Sequence, residues 1–163
     1  MSAVLSCGLL QMDPSQFKTV HDYQISIAAR ISSLARKGAD LVVMPEYAGM
    51  IGASLEIASR VPGNMFEVAR VTGIEGYHRW LDFFAATALS NRVHLCPGTF
   101  LRPSDGGYES ICPLFSPRGE LLAEQLQTHV TEKEDRMGLV CGNDLATINI
   151  RGHKLGIAMG TDA

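Results

Sequence analysis

The first candidate for chemistry is a glutamate that directly follows a run of apolar residues. Glu46 comes after Leu41-Val42-Val43-Met44 and Pro45. That run reads as a buried strand, and in open α/β sheets functional groups gather beyond the carboxyl ends of parallel strands. Partial burial at such a rim raises a carboxyl pKa and suits the group to general-base work. The same pattern also describes an ordinary solvated glutamate at a strand end. Gly160-Thr161-Asp162, after the apolar run Leu155–Met159, is a second place of this kind. The four cysteines, Cys7, Cys96, Cys112 and Cys141, are widely spaced, with no Cys-x-x-Cys pair and no histidine at ligand spacing. That argues against a zinc site. Cys7, Cys96 and Cys112 lie in apolar, strand-like runs where a reduced cysteine acts as a small hydrophobe. Cys141 falls in a polar loop region.

The elements that must position these residues follow from periodicity. Residues 3–11 form a mostly apolar run of strand length. Asp13-Pro14-Ser15-Gln16 reads as a helix start, with Asp13 as cap, Pro14 at the first position and Gln16 completing a capping box. Val20, Ile27, Ile31 and Leu34 continue at helical spacing to a stop at Gly38. With the strand Leu41–Met44 this makes a βαβ unit with parallel strands. A short helix near Ala53–Arg60 precedes a firmer one over Tyr77–Asn91, where Trp80, Phe83, Phe84, Thr87 and Ala88 share one face. Strands are then expected at Val93–Leu101, Tyr108–Ser116 and Leu121–His129, separated by the turns Pro103–Gly107 and Pro117–Glu120. A polar stretch Thr131–Arg136 and a Gly142-Asn143-Asp144 turn lead to a hairpin of Leu145–Ile150 and Lys154–Met159 around Arg151-Gly152-His153. The organisation is α/β with a mixed sheet, and neither repeat nor linker divides it.

Composition narrows the function. Of 163 residues 46% are hydrophobic and 19% charged, which is ordinary for a globular protein and too apolar for disorder. A net charge of −3 with scattered cations gives no basic stripe for nucleic acid. No stretch reaches the roughly 18 apolar residues of a membrane helix, and the basic leader of a signal peptide is missing, so a cytoplasmic location is expected.

Five segments, in order, resemble those of the carbon–nitrogen hydrolases, the nitrilase superfamily of nitrilases, amidases and carbamoylases. Ala39–Glu46 looks like the signature around that family's catalytic glutamate. Pro97-Gly98-Thr99-Phe100 resembles its glycine-containing strand, and Leu114–Glu120 its hairpin turn. Thr128–Glu134 resembles the segment after its catalytic lysine, and Leu155–Asp162 its strand-to-helix elbow. The resemblance covers essentially the whole chain. It implies a single domain over 1–163, incomplete and forming part of an α-β-β-α sandwich.

The resemblance also implies a Glu–Lys–Cys triad acting without metal or organic cofactor. Glutamate would be general base, lysine would stabilise developing negative charge, and cysteine would attack the carbonyl or nitrile carbon. Glu46 matches the first glutamate, and Glu134 matches a second that follows the lysine and helps position the site. The other positions depart from the pattern. Gln127 stands where the lysine belongs, with His129 two residues on, and Gly160 stands where the cysteine belongs. Gln127 still donates a hydrogen bond but carries no charge. Gly160 offers no nucleophile, although glycine suits a strained elbow. Thr161 and Cys141 are the nearby alternatives, and neither has an evident base. The expected protein is therefore a truncated, inactive relative of enzymes that hydrolyse small amides, carbamoyl compounds or nitriles. A further expectation is a non-catalytic subunit that self-associates or pairs with an intact relative.

Overall fold

The computed structural model describes residues 4–57 and 64–162 of the chain. In order, the elements are β1 (Cys7–Leu9), α1 (Val20–Arg36), β2 (Leu41–Val43), α2 (Ala48–Ile57), α3 (Met65–Asn91), β3 (His94–Cys96), β4 (Phe100–Ser104), β5 (Gly107–Phe115), β6 (Leu121–Leu126), α4 (Glu132–Arg136), β7 (Leu139–Val140), β8 (Thr147–Ile150) and β9 (His153–Gly156). No helix among the described residues is long and apolar enough to cross a membrane.

The single helix expected from Pro14 is two pieces. Pro14–Gln16 forms a 3-10 turn capped by Asp13, whose carboxylate accepts from the Ser15 N–H. The chain then straightens, and Thr19 caps α1 by accepting from the Asp22 N–H. Gln16 completes no capping box; its Oε1 instead accepts from Arg30 at 3.1 Å. The helix expected near Ala53–Arg60 starts earlier, at Ala48, and its last three residues lie outside the described residues. The helix Tyr77–Asn91 is the C-terminal part of α3, which begins at Met65 and bends at Gly73, where φ is +63°.

β1, β2 and β3 are parallel, as a βαβ unit requires, and β3, β4 and β6 run antiparallel to the long strand β5. The sheet is therefore mixed. Several expected strands are shorter; Leu121–His129 ends at Leu126, and Leu145–Ile150 begins at Thr147. Val93–Leu101 is interrupted at Pro97-Gly98-Thr99, so β3 and β4 are successive partners on β5. Leu155–Met159 ends as a strand at Gly156 and pairs only with β8, in a separate hairpin outside the main sheet. Its residues are alternately half-buried and exposed, so continuous cover on both faces is not what this strand has. Arg151 and Gly152 close the hairpin with φ of +55° and +86°, the signs of a type I′ turn.

The helices cover one face of the sheet with an aromatic core. Tyr23, Trp80, Phe84 and Phe100 are each at most 1% exposed, and neighbouring rings meet edge-on or tilted at 5.7 to 6.2 Å. α2 lies hard against these rings. A Cβ on Gly49 would sit 2.3 Å from Phe100, and one on Gly52 would sit 2.2 Å from Trp80. The Tyr23 hydroxyl donates to the Ala48 carbonyl at 2.6 Å and ties α1 to the first residue of α2. On the opposite face Leu41, Cys96, Cys112, Leu114, Ile150 and Met159 pack together, with the β8–β9 hairpin as partial cover. Arg151 bonds the Asp40 carboxylate at 2.5 Å and fastens that hairpin to the start of β2. Cys7, expected inside, is exposed, because its strand is the sheet edge and turns only Gly8 inward.

The interruption at Gly98 holds the turn after β2. Gly98 has φ +78°, and a Cβ there would lie 2.0 Å from the Pro45 carbonyl oxygen. The Thr99 hydroxyl accepts from the Tyr47 N–H at 2.8 Å. Gly98→Ala is expected to cost on the order of 3 kcal/mol or more, from the left-handed backbone and the steric clash together. Gly38→Ala is the control, since Gly38 has φ +90° but open space around its Cα; it should cost only about 1 kcal/mol. Denaturant unfolding of both variants measures the difference, and equal losses would refute the steric role of Gly98.

Candidate active site

Glu46 leaves β2 through Pro45 and precedes Tyr47, which takes φ +57°. That left-handed residue turns the chain into α2 and leaves the Glu46 side chain at the mouth of a cavity. The cavity, about 200 Å³, is lined by Met44, Glu46, Cys96, Thr99, Cys112 and Gly160 among others. Glu46 is itself exposed. Partial desolvation, with the nearby Glu134 carboxylate second, raises its pKa above the usual glutamate range.

Glu134 has the opposite environment. It is the third residue of α4 and closes a capping box with Thr131. Its Oε2 accepts from the Thr131 N–H and from the Thr131 hydroxyl, both at 2.8 Å. The Thr131 N–H is the main reason its pKa is lowered, and the Thr131 hydroxyl and the Gln127 amide add to it. Two carboxylates near each other are thus driven apart. One is held ionised by donors, and the other is pushed toward carrying a proton, an arrangement suited to acid–base work. Glu134 also has a plain structural duty as a helix cap.

Gln127 is 1% exposed and sits just beyond β6. Its Nε2 donates to the His129 carbonyl at 2.8 Å, while its Oε1 accepts from no described residue. The amide lies against Gly160, where a Cβ would be 3.1 Å from Nε2. Gly160 takes φ +51° and opens a one-turn 3-10 helix ending at Asp162. The glutamine side chain therefore occupies the space beside a position that has no side chain of its own. Neither alternative nucleophile is placed for attack. The Thr161 hydroxyl donates to the His129 carbonyl at 2.7 Å. Cys141 is exposed and is not among the residues that line the cavity.

Asp162 joins the two halves of this site, and sequence reasoning assigned it no role. Its side chain is 2% exposed. Oδ1 accepts from the N–H groups of Thr128 and His129 at 2.9 and 2.7 Å and from the Thr128 hydroxyl at 3.0 Å. Oδ2 accepts from the Met159 N–H at 3.3 Å. Burial pushes the pKa of Asp162 up, but these donors, led by the His129 N–H, outweigh it and hold the group ionised. Its signals in the sequence were its place after an apolar run and at the end of the elbow segment Leu155–Asp162. His129 is itself exposed, and its ring nitrogen stands 3.0 Å from the Thr128 hydroxyl. Of the sequence-predicted residues, Glu46 and Gly160 line the cavity; Gln127 packs against Gly160 from behind, and Glu134 stands near Gln127 and Glu46, and neither of these two lines the cavity. Among the described residues no group of three or more His, Cys, Asp or Glu side chains is placed to hold a metal.

Comparison with known proteins gives the fold. No protein-family profile matches the chain, and no curated protein matches its sequence. Solved structures do match. An amidase from Nesterenkonia sp. superposes with a TM-score of 0.64 at 16% identity, over 97% of this chain and 56% of the amidase. A mutant of the Nesterenkonia sp. AN1 amidase in complex with butyramide gives 0.64 at 17% identity, over 96% and 56%. A carbon–nitrogen hydrolase from Helicobacter pylori G27 gives 0.63 at 18% identity, over 85% and 45%. The fold of this chain is that of nitrilase-superfamily amidases, and the chain spans about half the length of the proteins it matches.

Two outcomes follow from the carboxylates. Asp162→Ala should lose about 3 kcal/mol at neutral pH, the scale of removing hydrogen bonds to a buried charge. Its folded pKa is lowered, so its stabilisation is present above the unfolded value and fades as pH falls through the folded one. The gap between wild type and variant should therefore narrow in acid, and a pH-independent gap in denaturant titrations would count against the assignment. Glu46 has the reverse sign. Its raised pKa means that ionisation weakens the folded state, so Glu46→Gln should be more stable than wild type at neutral pH. That advantage should vanish below the ordinary glutamate range, and a destabilised variant at neutral pH would overturn this reading.

Proposed function

We propose that this chain is a carbon–nitrogen-hydrolase-like protein that keeps a small-amide pocket and lacks its nucleophile. The observation that carries the proposal is Gly160. It stands in a left-handed turn at the cavity rim, with the Gln127 amide filling the adjacent space. In a hydrolase of this fold a thiolate there would form the acyl intermediate. Here no side chain is available to do so. In this proposal Glu46 keeps the general-base position, Glu134 remains its companion carboxylate, and Gln127 takes the place of the cation as a neutral polar group.

The cavity lining says what the pocket would accept. A primary carboxamide presents N–H donors to the Glu46 carboxylate at the cavity wall. Short aliphatic amides fit a cavity of about 200 Å³. The Nesterenkonia amidase captured with butyramide makes that compound the natural probe. No metal or organic cofactor enters this reading.

An apolar groove favours the related reading of a non-catalytic subunit that associates with its own kind or with an intact relative. Leu41, Val43, Leu114, Ile148, Ile150 and Leu155 line it on the sheet face away from the helices. Leu9, on the edge strand, is 74% exposed. Apolar surface left wet costs about 25 cal/mol per Å², which favours covering it. Sedimentation at rising concentration separates a monomer from this reading.

The direct test is titration with butyramide, followed by calorimetry. Saturable binding with a Kd on the order of millimolar is expected for so small a ligand, weakened about tenfold in Glu46→Ala, the scale of one good hydrogen bond. No ammonia should be released. Ammonia above the blank would overturn the loss of the nucleophile, and no binding at high butyramide would overturn the pocket.

A further inference from the structure

Cys96 closes β3 and Cys112 lies within β5, on the sheet face turned away from the helices. Their sulfurs are 3.2 Å apart, inside ordinary contact, and both are free thiols. Both side chains line the same cavity as Glu46, and Cys96 also borders the apolar groove beside it. The pair therefore stands in the wall of an open space, although Cys96 is only 7% and Cys112 only 3% exposed. Two reduced cysteines packed merely as small hydrophobes have no reason to meet sulfur to sulfur at the edge of a cavity.

We propose that Cys96 and Cys112 are a two-thiol oxidation site in the wall of the Glu46 cavity, which reacts with a peroxide and closes to a disulfide. This inference stands apart from amide binding, since it uses different residues and a different reactant.

The two sulfurs have unequal roles. Either thiol can donate to the other, and the Gly98 N–H adds a donor at Cys96 alone, so of the two it is Cys96 that loses its proton the more readily, its pKa being lowered and that of Cys112 raised. The thiolate is the nucleophile toward a peroxide. The Cys96 sulfur attacks one oxygen of hydrogen peroxide, the O–O bond breaks, and hydroxide leaves to take up a proton as water. Cys96 is then a sulfenic acid, oxidised by two electrons. The Cys112 sulfur attacks the sulfenic sulfur, the S–S bond forms and the S–O bond breaks. The departing hydroxide takes the Cys112 proton as a second water. Two thiols and one peroxide thus give one disulfide and two waters. The sulfurs need to approach by about 1.2 Å to reach bonding distance. Cys7 and Cys141, both exposed, act as internal controls.

The experiment uses the full chain carrying Cys7→Ser and Cys141→Ser, treated with hydrogen peroxide. The intact mass should fall by two hydrogens, and peptide mapping should join residues 96 and 112. In a chain that also carries Cys112→Ser, Cys96 should accumulate as a sulfenic acid trapped by dimedone. In one that carries Cys96→Ser, loss of the Cys112 thiol should slow by about tenfold or more, as expected for a thiol without an activated partner. Should the Cys112 variant fail to fold, peptide mapping of the unsubstituted chain decides the matter by itself. Residues 96 and 112 recovered as thiols from that chain, or peroxide that modifies only Cys7 and Cys141 in the unsubstituted chain, overturns the proposal. Failure to bind butyramide leaves this outcome unaffected.

Discussion

The arrangement of this protein depends on the close approach of the Pro45 carbonyl to Gly98. A sheet of parallel strands must release its chain at the strand ends, and here the release is held by backbone contact. The Met44 N–H still donates to the Cys96 carbonyl at 2.9 Å. One residue later the pairing stops, and the Pro45 oxygen enters the space that a side chain at 98 would fill. The Thr99 hydroxyl then takes the Tyr47 N–H. Between these two anchors Glu46 has little freedom in its backbone, although its side chain is open to water. Preorganisation of this kind places a reacting group without burying it.

A second anchor, made of charge, meets the first across the cavity. Asp162 collects four donors from two stretches of chain and fixes the turn at Gly160 against Gln127. Its pKa is lowered, as is that of Glu134, while that of Glu46 is raised. The first two carboxylates accept backbone N–H groups, whereas Glu46 is raised by partial desolvation and by the Glu134 charge.

Much of this was legible in the residues. The period of α1, the apolar run before Pro45, the turn at 117–120 and the hairpin at Arg151-Gly152 each follow from one local rule, and each stands where that rule put it; the turn expected at 103–107 narrows to Asp105-Gly106, because Pro103 and Ser104 stay in β4 and Gly107 opens β5. What was not legible came from contacts between distant residues. α2 has low intrinsic propensity because Gly49 and Gly52 lie on its inner face, and only the rings of Phe100 and Trp80 explain them. The break at Gly98 looked like mid-strand, because its cause is a carbonyl more than fifty positions upstream. Asp162 finds its donors at Thr128 and His129, and the Cys96–Cys112 contact depends on the register of β3 against β5. None of these partners can be read from spacing. The grouping of Glu46, Gln127, Glu134 and Gly160 was drawn from a resemblance of motifs, and periodicity alone would have singled out only Glu46 and Gly160, the two that line the cavity.

The glycines of α2 bear on the order in which the chain assembles. A ten-residue helix with two interior glycines has little tendency to form by itself. Its stability comes from ring faces supplied by α3 and β4, elements made later in the chain. Such contacts close long loops and are gained only after those elements exist. α1 has its own cap and period, so it needs no such wait. The turn that carries Glu46 is continuous with α2 and so belongs to the late-forming part. In the folded protein the same dependence makes this corner the first to loosen when the aromatic layer is disturbed, so damage at Trp80 or Phe100 would be felt at Glu46 before it reached the outer strands.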